Sequence, residues 1–349
     1  MKPNRYHRQQ ILPGVGEEGQ RRLGAGSALI VGCGALGCAA SDLLCRAGVG
    51  RLTVIDRDVV EWTNLQRQTL FTESDAKEGL PKAEAARRRL AKVNSEIEIH
   101  ALVSDFSSRN AERIIAEHAP DVIVDGTDNF ETRFLINDVS VKHAIPFVYG
   151  GVVGTSGMAL SVLPGETACL RCVFAEPPPP GSQPTCDTAG VLGPAVAIVA
   201  GYQCAEAMKI LLGARDRVLR SLLSFDLWQG RRTRIEPVRD PACRCCVARQ
   251  FDYLEARDQD PTVSLCGQGA VQVWPPVETS IDLTGLEQRL RGVGSFRLTE
   301  FLISGTLAEE RGESDEPIGL TVFADGRAVV RGVRSASRAR AIYARYVGT

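Results

Sequence analysis

Two hydrophobic periods alternate along the first half of this chain. Ser27 to Gly32 (SALIVG) is a short β-rich apolar run, after which Leu36, Ala40, Leu43, Leu44 and Ala47 recur at helical spacing up to Gly48. Arg51 to Asp56 (RLTVID) is a second apolar run and completes a strand, helix, strand unit of about 30 residues, the length of a parallel crossover. Strands are also predicted at 97–103, 122–125 and 147–152, with helices at 82–93, 109–118 and 130–144. This alternation predicts an α/β fold with a Rossmann-like, doubly wound, mainly parallel sheet. After Gly157 the rhythm changes. Runs at 158–163 and 222–228 read as strands of an antiparallel extension. They flank a long apolar helix from Pro194 to Leu212, opened by proline and closed by Gly213.

Beyond Cys246 the stretch ARQFDYLEARDQDPTVSLCGQG loses apolar periodicity. We therefore divide the chain into residues 1–248, a linker at 249–269 and a small α+β domain at 270–349. In that last part strands are expected at 270–274, 295–303, 319–323 and 328–331, with helices at 283–290 and 335–346. Asp325-Gly326 between two β-rich runs is a hairpin signal.

At 349 residues the chain exceeds one compact core of usual size, in keeping with that division. Hydrophobic residues at 44% and charged residues at 24% exclude a disordered or coiled-coil chain. The formal charge of -1 argues against nucleic-acid binding by bulk electrostatics. No apolar run has the length to span a bilayer and the start, MKPNRYHRQQ, has no signal-peptide core, so a cytoplasmic protein with no membrane partner is expected. In that reducing compartment the 11 cysteines point to metal ligation or thiol chemistry more than to disulfides. The four histidines form no HExxH or triad order, which leaves a hydrolase reading without support.

Gly32-Cys-Gly34-Ala-Leu-Gly37 joins the first strand to the first helix, where glycines let backbone N–H groups approach a phosphate. Asp56 ends the second strand and suits ribose hydroxyls. These features define a nucleotide site and leave open a nicotinamide-dependent oxidoreductase. The polar and cationic set that follows, Asp58, Asn64, Arg67, Gln68 and Lys82, suits a triphosphate, and Asp128 after a strand supplies a metal-binding carboxylate.

Cys169-Leu-Arg-Cys172 and Cys243-Arg-Cys245-Cys246 are two paired-thiol knuckles able to share one structural zinc, clipping the end of the domain onto its middle. Cys186 lies in a loop rich in Pro, Gly, Ser and Thr just before the long helix and fits a nucleophile or a chance loop cysteine. Cys33, Cys38, Cys45 and Cys204 read as small buried hydrophobes. Arg8, on a short basic arm, is either solvated or able to reach a neighbouring subunit's site.

The ordered set RYHRQ, GCGALG, D-x-D with NLQRQ, Pro-Lys, GTDN, CLRC, TCDTAGVLGP and CRCC, over about residues 4 to 248, resembles the ThiF/MoeB/HesA family of prokaryotic relatives of ubiquitin-activating enzymes. The resemblance implies a homodimeric adenylyltransferase that uses ATP and Mg2+ on the C-terminal glycine of a ubiquitin-like sulfur carrier protein ending in Gly-Gly. It implies Gly34 against the nucleotide and Asp56 at the ribose. Asn64, Arg67 and Lys82 would hold the triphosphate and Asp128 magnesium. Arg8 would enter the partner's site, Cys169, Cys172, Cys243 and Cys246 would bind Zn2+, and Cys186 would be the crossover-loop thiol that in some members bonds the carrier covalently. A tRNA- or peptide-modifying adenylating enzyme of the same superfamily is the neighbouring alternative. Residues 270–349 lack the length and cysteine loop of a rhodanese, so an external sulfur donor, a cysteine desulfurase or rhodanese, is expected. The tail is read as a protein-docking module or a dimer-stabilising appendage.

Overall fold

The computed structural model describes residues 4–177, 186–256, 262–265, 269–275 and 279–348, with the side chains of 186–187 and 262–265 outside the description. The chain packs as two compact units, residues 1–257 and 258–349.

In the first unit two N-terminal helices, α1 (His7–Gln10) and α2 (Gly16–Ala25), precede β1 (Ser27–Val31), α3 (Ala35–Ala47) and β2 (Arg51–Ile55). Then come α4 (Glu73–Glu78), α5 (Lys82–Val93), β3 (Glu98–Leu102), α6 (Ala111–His118), β4 (Val122–Asp125), α7 (Phe130–His143) and β5 (Phe147–Val153). The unit closes with β6 (Ser156–Val162), α8 (Leu170–Val173), α9 (Cys186–Ala189), α10 (Gly193–Leu211), β7 (Leu222–Asp226), β8 (Arg231–Ile235) and α11 (Asp252–Glu255). The eight strands form one sheet in the order β3-β2-β1-β4-β5-β6-β7-β8. It is parallel from β3 to β5 and antiparallel from β5 to β8.

The sheet has helices on both faces, so its central strands read as continuous apolar runs. In β1, Leu29 and Val31 pack with Ile114 of α6 and Phe134 of α7. On another part of the sheet Val152 and Phe225 pack with Leu36 of α3 and Val196 and Val199 of α10. The order reverses at β1, which lies between β2 and β4, and opens a crevice at the carboxyl ends of β1 and β4.

The second unit holds β9 (Thr262–Leu265), β10 (Ala270–Val273), α12 (Leu283–Leu290), β11 (Gly294–Leu298), β12 (Leu302–Arg311), β13 (Pro317–Phe323), β14 (Ala328–Arg331) and α13 (Ala336–Tyr346). Its antiparallel sheet runs β11-β12-β13-β14-β10-β9. Leu286 and Leu290 of α12 and Ile342 and Tyr343 of α13 share one core with Ile303, Leu320 and Val330 of the strands.

Three sequence expectations change. The single strand expected at 295–303 is a hairpin, because Thr299 turns the chain: its N–H donates to the Leu302 carbonyl at 2.8 Å and its Oγ1 accepts from the Leu302 N–H at 3.2 Å. β8 is an additional strand. All five of its residues are exposed, so RRTRI carries no in-out alternation to read. Finally, α11 and β9 form within the polar 249–269 stretch.

Candidate functional site

Three glycines build the floor of the crevice. Gly32 leaves β1 with φ +89°, and a Cβ there would lie 2.7 Å from the Gly126 backbone. A Cβ on Gly37 would lie 1.9 Å from the Gly32 carbonyl oxygen, and one on Gly126 would lie 2.2 Å from that same atom. The turn after β1 and the turn after β4 are thus interlocked through bare backbone. Gly34, the N-cap of α3, is different: a Cβ there would meet only the Gly126 oxygen, at 3.8 Å. Among the described residues nothing else lies within 4 Å of that position, which leaves open space beside the first-turn N–H groups of a 13-residue helix, a cradle for an anion.

Charged groups ring this cradle. Asp56 accepts from the backbone N–H of Cys33 at 2.6 Å and of Asp58 at 2.7 Å, so the carboxylate predicted to face a ribose also pins the glycine turn. Burial raises its pKa, and the Lys82 charge opposes that. Lys82 Nζ lies 2.9 Å from Asp58 Oδ2, and the Lys82 N–H donates to the Asp58 carbonyl at 2.8 Å. Burial disfavours the charged lysine, but the carboxylates of Asp58 and Asp56 outweigh it and hold its pKa above the ordinary value. Asp128 is exposed after β4, and its charge is one of those stabilising the cations of Lys82, Arg57 and Arg133.

The 58–68 segment is tied alongside by the Val60 N–H to Leu80 carbonyl bond of 2.8 Å. In it Asn64 Oδ1 accepts from the Glu61 N–H at 2.9 Å, and Arg67 Nη1 donates to the Thr63 carbonyl at 2.8 Å. Gln68 is buried with its Oε1 unpartnered among the described residues. Gly32, Gly34, Gly37, Asp56, Asp58, Lys82 and Asp128 therefore come together, whereas Asn64, Arg67 and Gln68 are engaged within their own segment.

Arg8 is exposed on α1, at the opposite end of α3 from the cradle. Gln9 beside it donates to the Ala47 carbonyl at 2.9 Å, and Tyr6 receives a bond from Asn94 Nδ2 at 2.9 Å. At ~1.5 Å per residue, α3 separates Arg8 from its own glycine turn by about 20 Å. Cys186 begins α9, and its side chain falls outside the described residues, as does Cys266.

Sequence reasoning missed a supporting network. The Arg133 guanidinium, on α7, pairs with Asp125 at 3.1 Å and donates to the Thr127 carbonyl at 2.7 Å. Asp125 Oδ1 in turn accepts from the Thr127 N–H at 2.9 Å and its hydroxyl at 2.7 Å. These bonds fix the turn that carries Asp128. Arg57 pairs with Asp105 at 2.9 Å and faces Asp58 at 3.7 Å, joining the loops after β2 and β3. The available signal was a cation lodged between Asp56 and Asp58, and another one helical turn into α7.

A second centre lies at the base of the unit. The sulfurs of Cys169, Cys172, Cys243 and Cys246 all lie within 4.8 Å of one another. The separations are 3.8 Å for Cys169–Cys172, 3.6 Å for Cys169–Cys243 and 3.5 Å for Cys172–Cys246. A zinc tetrahedron with bonds of ~2.3 Å has S···S edges of about 3.8 Å, so the set fits that ion. Without a cation, burial and the Cys172 thiol push Cys246 up to about 11, and a bound divalent ion is what permits these sulfurs to ionise together. Cys245 is buried beside Cys169, within hydrogen-bonding reach of it, and accepts from Asn137 Nδ2 at 3.2 Å. Cys33, Cys38, Cys45 and Cys204 are buried as small hydrophobes.

A glycine cradle at the switch point of a doubly wound sheet, ringed by paired charges and backed by a four-thiol cluster, defines a nucleotide-binding α/β protein with a structural metal clip. Within that class the chain belongs to the ThiF family, which matches residues 6–247. It is 40% identical over 348 residues, 99% of both chains, to the sulfur carrier protein ThiS adenylyltransferase of Bacillus subtilis strain 168. It is 41% identical over 248 residues, 70% of this chain and 90% of the relative, to a sulfur carrier protein adenylyltransferase of Thermus thermophilus. Among solved structures, E. coli MccB with ATP aligns with a TM-score of 0.60 over 70% of this chain and 75% of that one, at 24% identity, a likeness of fold.

Proposed function

We propose that this chain is an ATP-dependent adenylyltransferase that activates the C-terminal glycine carboxylate of a ubiquitin-like sulfur carrier as an acyl-adenylate. The observation that carries the reading is the match to the Bacillus subtilis enzyme across 99% of both chains, the second unit included. Family membership removes the support for a nicotinamide oxidoreductase.

The carrier's terminal carboxylate, ionised at neutral pH, attacks the α-phosphorus of ATP; the bond from that phosphorus to the β-phosphate oxygen breaks and pyrophosphate leaves. No general base is needed, so the protein's task is alignment and charge neutralisation. The α3 N–H groups at Gly34 receive phosphate oxygens and Asp56 the ribose. Lys82, turning from Asp58, meets the triphosphate together with Arg67 and Asn64. Asp128 is the residue that would hold magnesium, which when bound adds cationic charge beside the leaving group.

A second copy completes the site. Arg8 is too far from its own cradle, and α10 leaves Ala197, Ile198 and Ala205 exposed, an apolar face suited to a homodimer contact. Cys186 is the candidate acceptor of the acyl group, its thiolate displacing AMP to form a thioester. Sulfur then comes from an external cysteine desulfurase or rhodanese. Residues 270–349 act as a docking module for another protein. No helix among the described residues is long and apolar enough to cross a membrane, and the enzyme works in the cytoplasm.

ATP–pyrophosphate exchange with recombinant ThiS of Bacillus subtilis tests the reading. Asp128→Ala is expected to remove most exchange and Cys186→Ala to leave it largely intact. Full exchange by the Asp128 variant refutes the metal assignment, and no exchange by the wild type with any Gly-Gly carrier refutes the function.

A further inference from the structure

Gln203 lies on the inward face of α10 beside the apolar Val199, Ala200 and Ala207, and it is fully buried. Its Nε2 donates to the Asp125 carbonyl at 2.7 Å and to the Val148 carbonyl at 3.2 Å. These carbonyls belong to neighbouring strands at the point where the strands part: the β4–β5 ladder pairs Ile123 with Phe147 and Val124 with Val148 and goes no further. Of the two ends of the amide only the NH2 group can face two acceptors, so its orientation follows from its partners. Gly150 makes the room, because a Cβ there would lie 2.5 Å from the Gln203 amide. The Gln203 Oε1 is buried and meets no donor among the described residues. An unmet buried acceptor costs stability, so a glutamine at this place serves the two carbonyls and not the packing of the core.

The Asp125 carbonyl opens the turn that carries Asp128. From α7, Arg133 holds the Asp125 carboxylate at 3.1 Å and the Thr127 carbonyl at 2.7 Å. From α10, Gln203 holds the backbone where the same turn begins. A buried carbonyl that loses this donor gains by rotating its peptide, and rotation at 125–126 re-aims the residues that follow. We propose that Gln203 is a positioning residue for adenylation: through the Asp125 carbonyl it sets the turn that presents Asp128 to the divalent cation accompanying ATP. It acts through the backbone and not on the reacting atoms. The glycine cradle keeps ties of its own, Asp56 on the Cys33 N–H at 2.6 Å and the Gly126 N–H on the Val31 carbonyl at 2.7 Å, so ATP binding without metal does not depend on the amide. The inference rests on the adenylation reading above, with Asp128 as the magnesium carboxylate.

The test is Gln203→Met, which keeps the length of the side chain and removes both donors, with Gly150→Ala as an independent second that displaces the amide without removing it. In full-length protein, Mn2+ uptake in the presence of ATP is read by electron paramagnetic resonance, binding of metal-free ATP by calorimetry, and ATP–pyrophosphate exchange with Bacillus subtilis ThiS as a function of free Mg2+. Both variants are expected to weaken Mn2+ uptake about tenfold and to raise the half-saturating Mg2+ by about the same factor, with metal-free ATP affinity and the KM for ThiS close to wild type. Leu23→Ala, buried in α2 away from the turn, controls for lost stability and is expected to take up Mn2+ like wild type at a lowered Tm. Unchanged Mn2+ uptake by Gln203→Met overturns the inference. So does an equal loss of metal-free ATP affinity or a Leu23→Ala protein that loses Mn2+ as strongly, either of which marks a general loosening of the sheet, and so does wild-type uptake by Asp128→Ala. Mn2+ uptake needs no carrier, so wild-type protein inert with every Gly-Gly carrier strikes the adenylation reading while the Gln203 measurement still decides, and the two failures are distinguishable.

Discussion

Gly34→Ala and Gly37→Ala lie three residues apart in one turn, yet the structure assigns them opposite phenotypes. A Cβ on Gly37 would sit 1.9 Å from the Gly32 carbonyl oxygen and 2.8 Å from its carbon, both backbone atoms that no rotamer change can move. Relief requires parting the β1 and β4 turns, and overpacking of this kind costs about 1–3 kcal/mol or more. In a unit of residues 1–257 each kcal/mol moves Tm by roughly 2–4 °C, so Gly37→Ala should lower Tm by about 5–10 °C. Gly34→Ala should leave Tm within about 1 °C, since among the described residues its Cβ meets only one atom, at 3.8 Å. That methyl would instead project into the space that a phosphate must enter. Thermal unfolding followed by circular dichroism, with and without MgATP, separates the two effects. Gly34→Ala should unfold like wild type without nucleotide and lose most of the stabilisation by MgATP. A Gly34→Ala protein as unstable as Gly37→Ala, or one stabilised by MgATP as strongly as wild type, refutes the assignment of this cradle.

The thiol cluster joins segments 74 residues apart, and a loop of that length is worth on the order of 4 kcal/mol when cross-linked. Titration with a mercurial should release about one zinc per chain to a chromogenic chelator, and Cys243→Ser should lower Tm by roughly 10 °C. Lys82→Met should cut exchange by about two orders of magnitude, and should lower Tm as well because Asp56 and Asp58 lose their cation. Because the folded Lys82 pKa lies above its ordinary value, activity should show no loss from its deprotonation as pH rises to 9. Burial pushes Asp138 up to about 6, with the N–H groups of Tyr253 and Leu254 opposing. A carboxyl raised above its unfolded value stabilises below about pH 4, and that contribution is lost as pH rises to 6. Asp138→Asn should therefore gain about 1–2 kcal/mol on wild type at pH 7.5 and nothing at pH 4, as measured by urea unfolding.

Legibility followed burial. β1, β4 and β5 lie deep in the sheet and announce themselves as apolar runs, and α3 is bounded by glycines whose conformations require them, Gly32 at φ +89° and Gly48 at φ +79°. The solvated elements were silent: β8 has no buried face, and α4 has no buried residue and is held by its Thr72 and Asp75 capping box. Within the site, residues bearing a characteristic chemistry at a turn, such as Gly34, Asp56 and Lys82, were visible because motif spacing fixes them. Arg133 and Arg57 were hidden because their roles depend on which loop the fold brings opposite them, Thr127 for one and Asp105 for the other.

The same dependence explains why the antiparallel extension matters to the chemistry. A purely parallel sheet offers its carboxyl edge only to the loops that follow its strands, and those loops form the glycine cradle here. Adding β6, β7 and β8 in alternating directions returns the β7–β8 turn to that edge and leaves an unpaired strand beside it. The four-thiol cluster is the counterpart at the other end: it fixes the chain that leaves β8 onto α8, which follows β6. A strand exposed on both faces has no core of its own to hold it in register, so the clip and the β7–β8 turn, where Asp226 accepts from the Trp228 N–H and Thr155 Oγ1, keep the β8 edge presented. Removal of the metal should therefore lower Tm while leaving the stabilisation by MgATP largely intact, because the cradle is held by the Gly32, Gly37 and Gly126 contacts, by Asp56 on the Cys33 N–H and by Arg133 on Asp125.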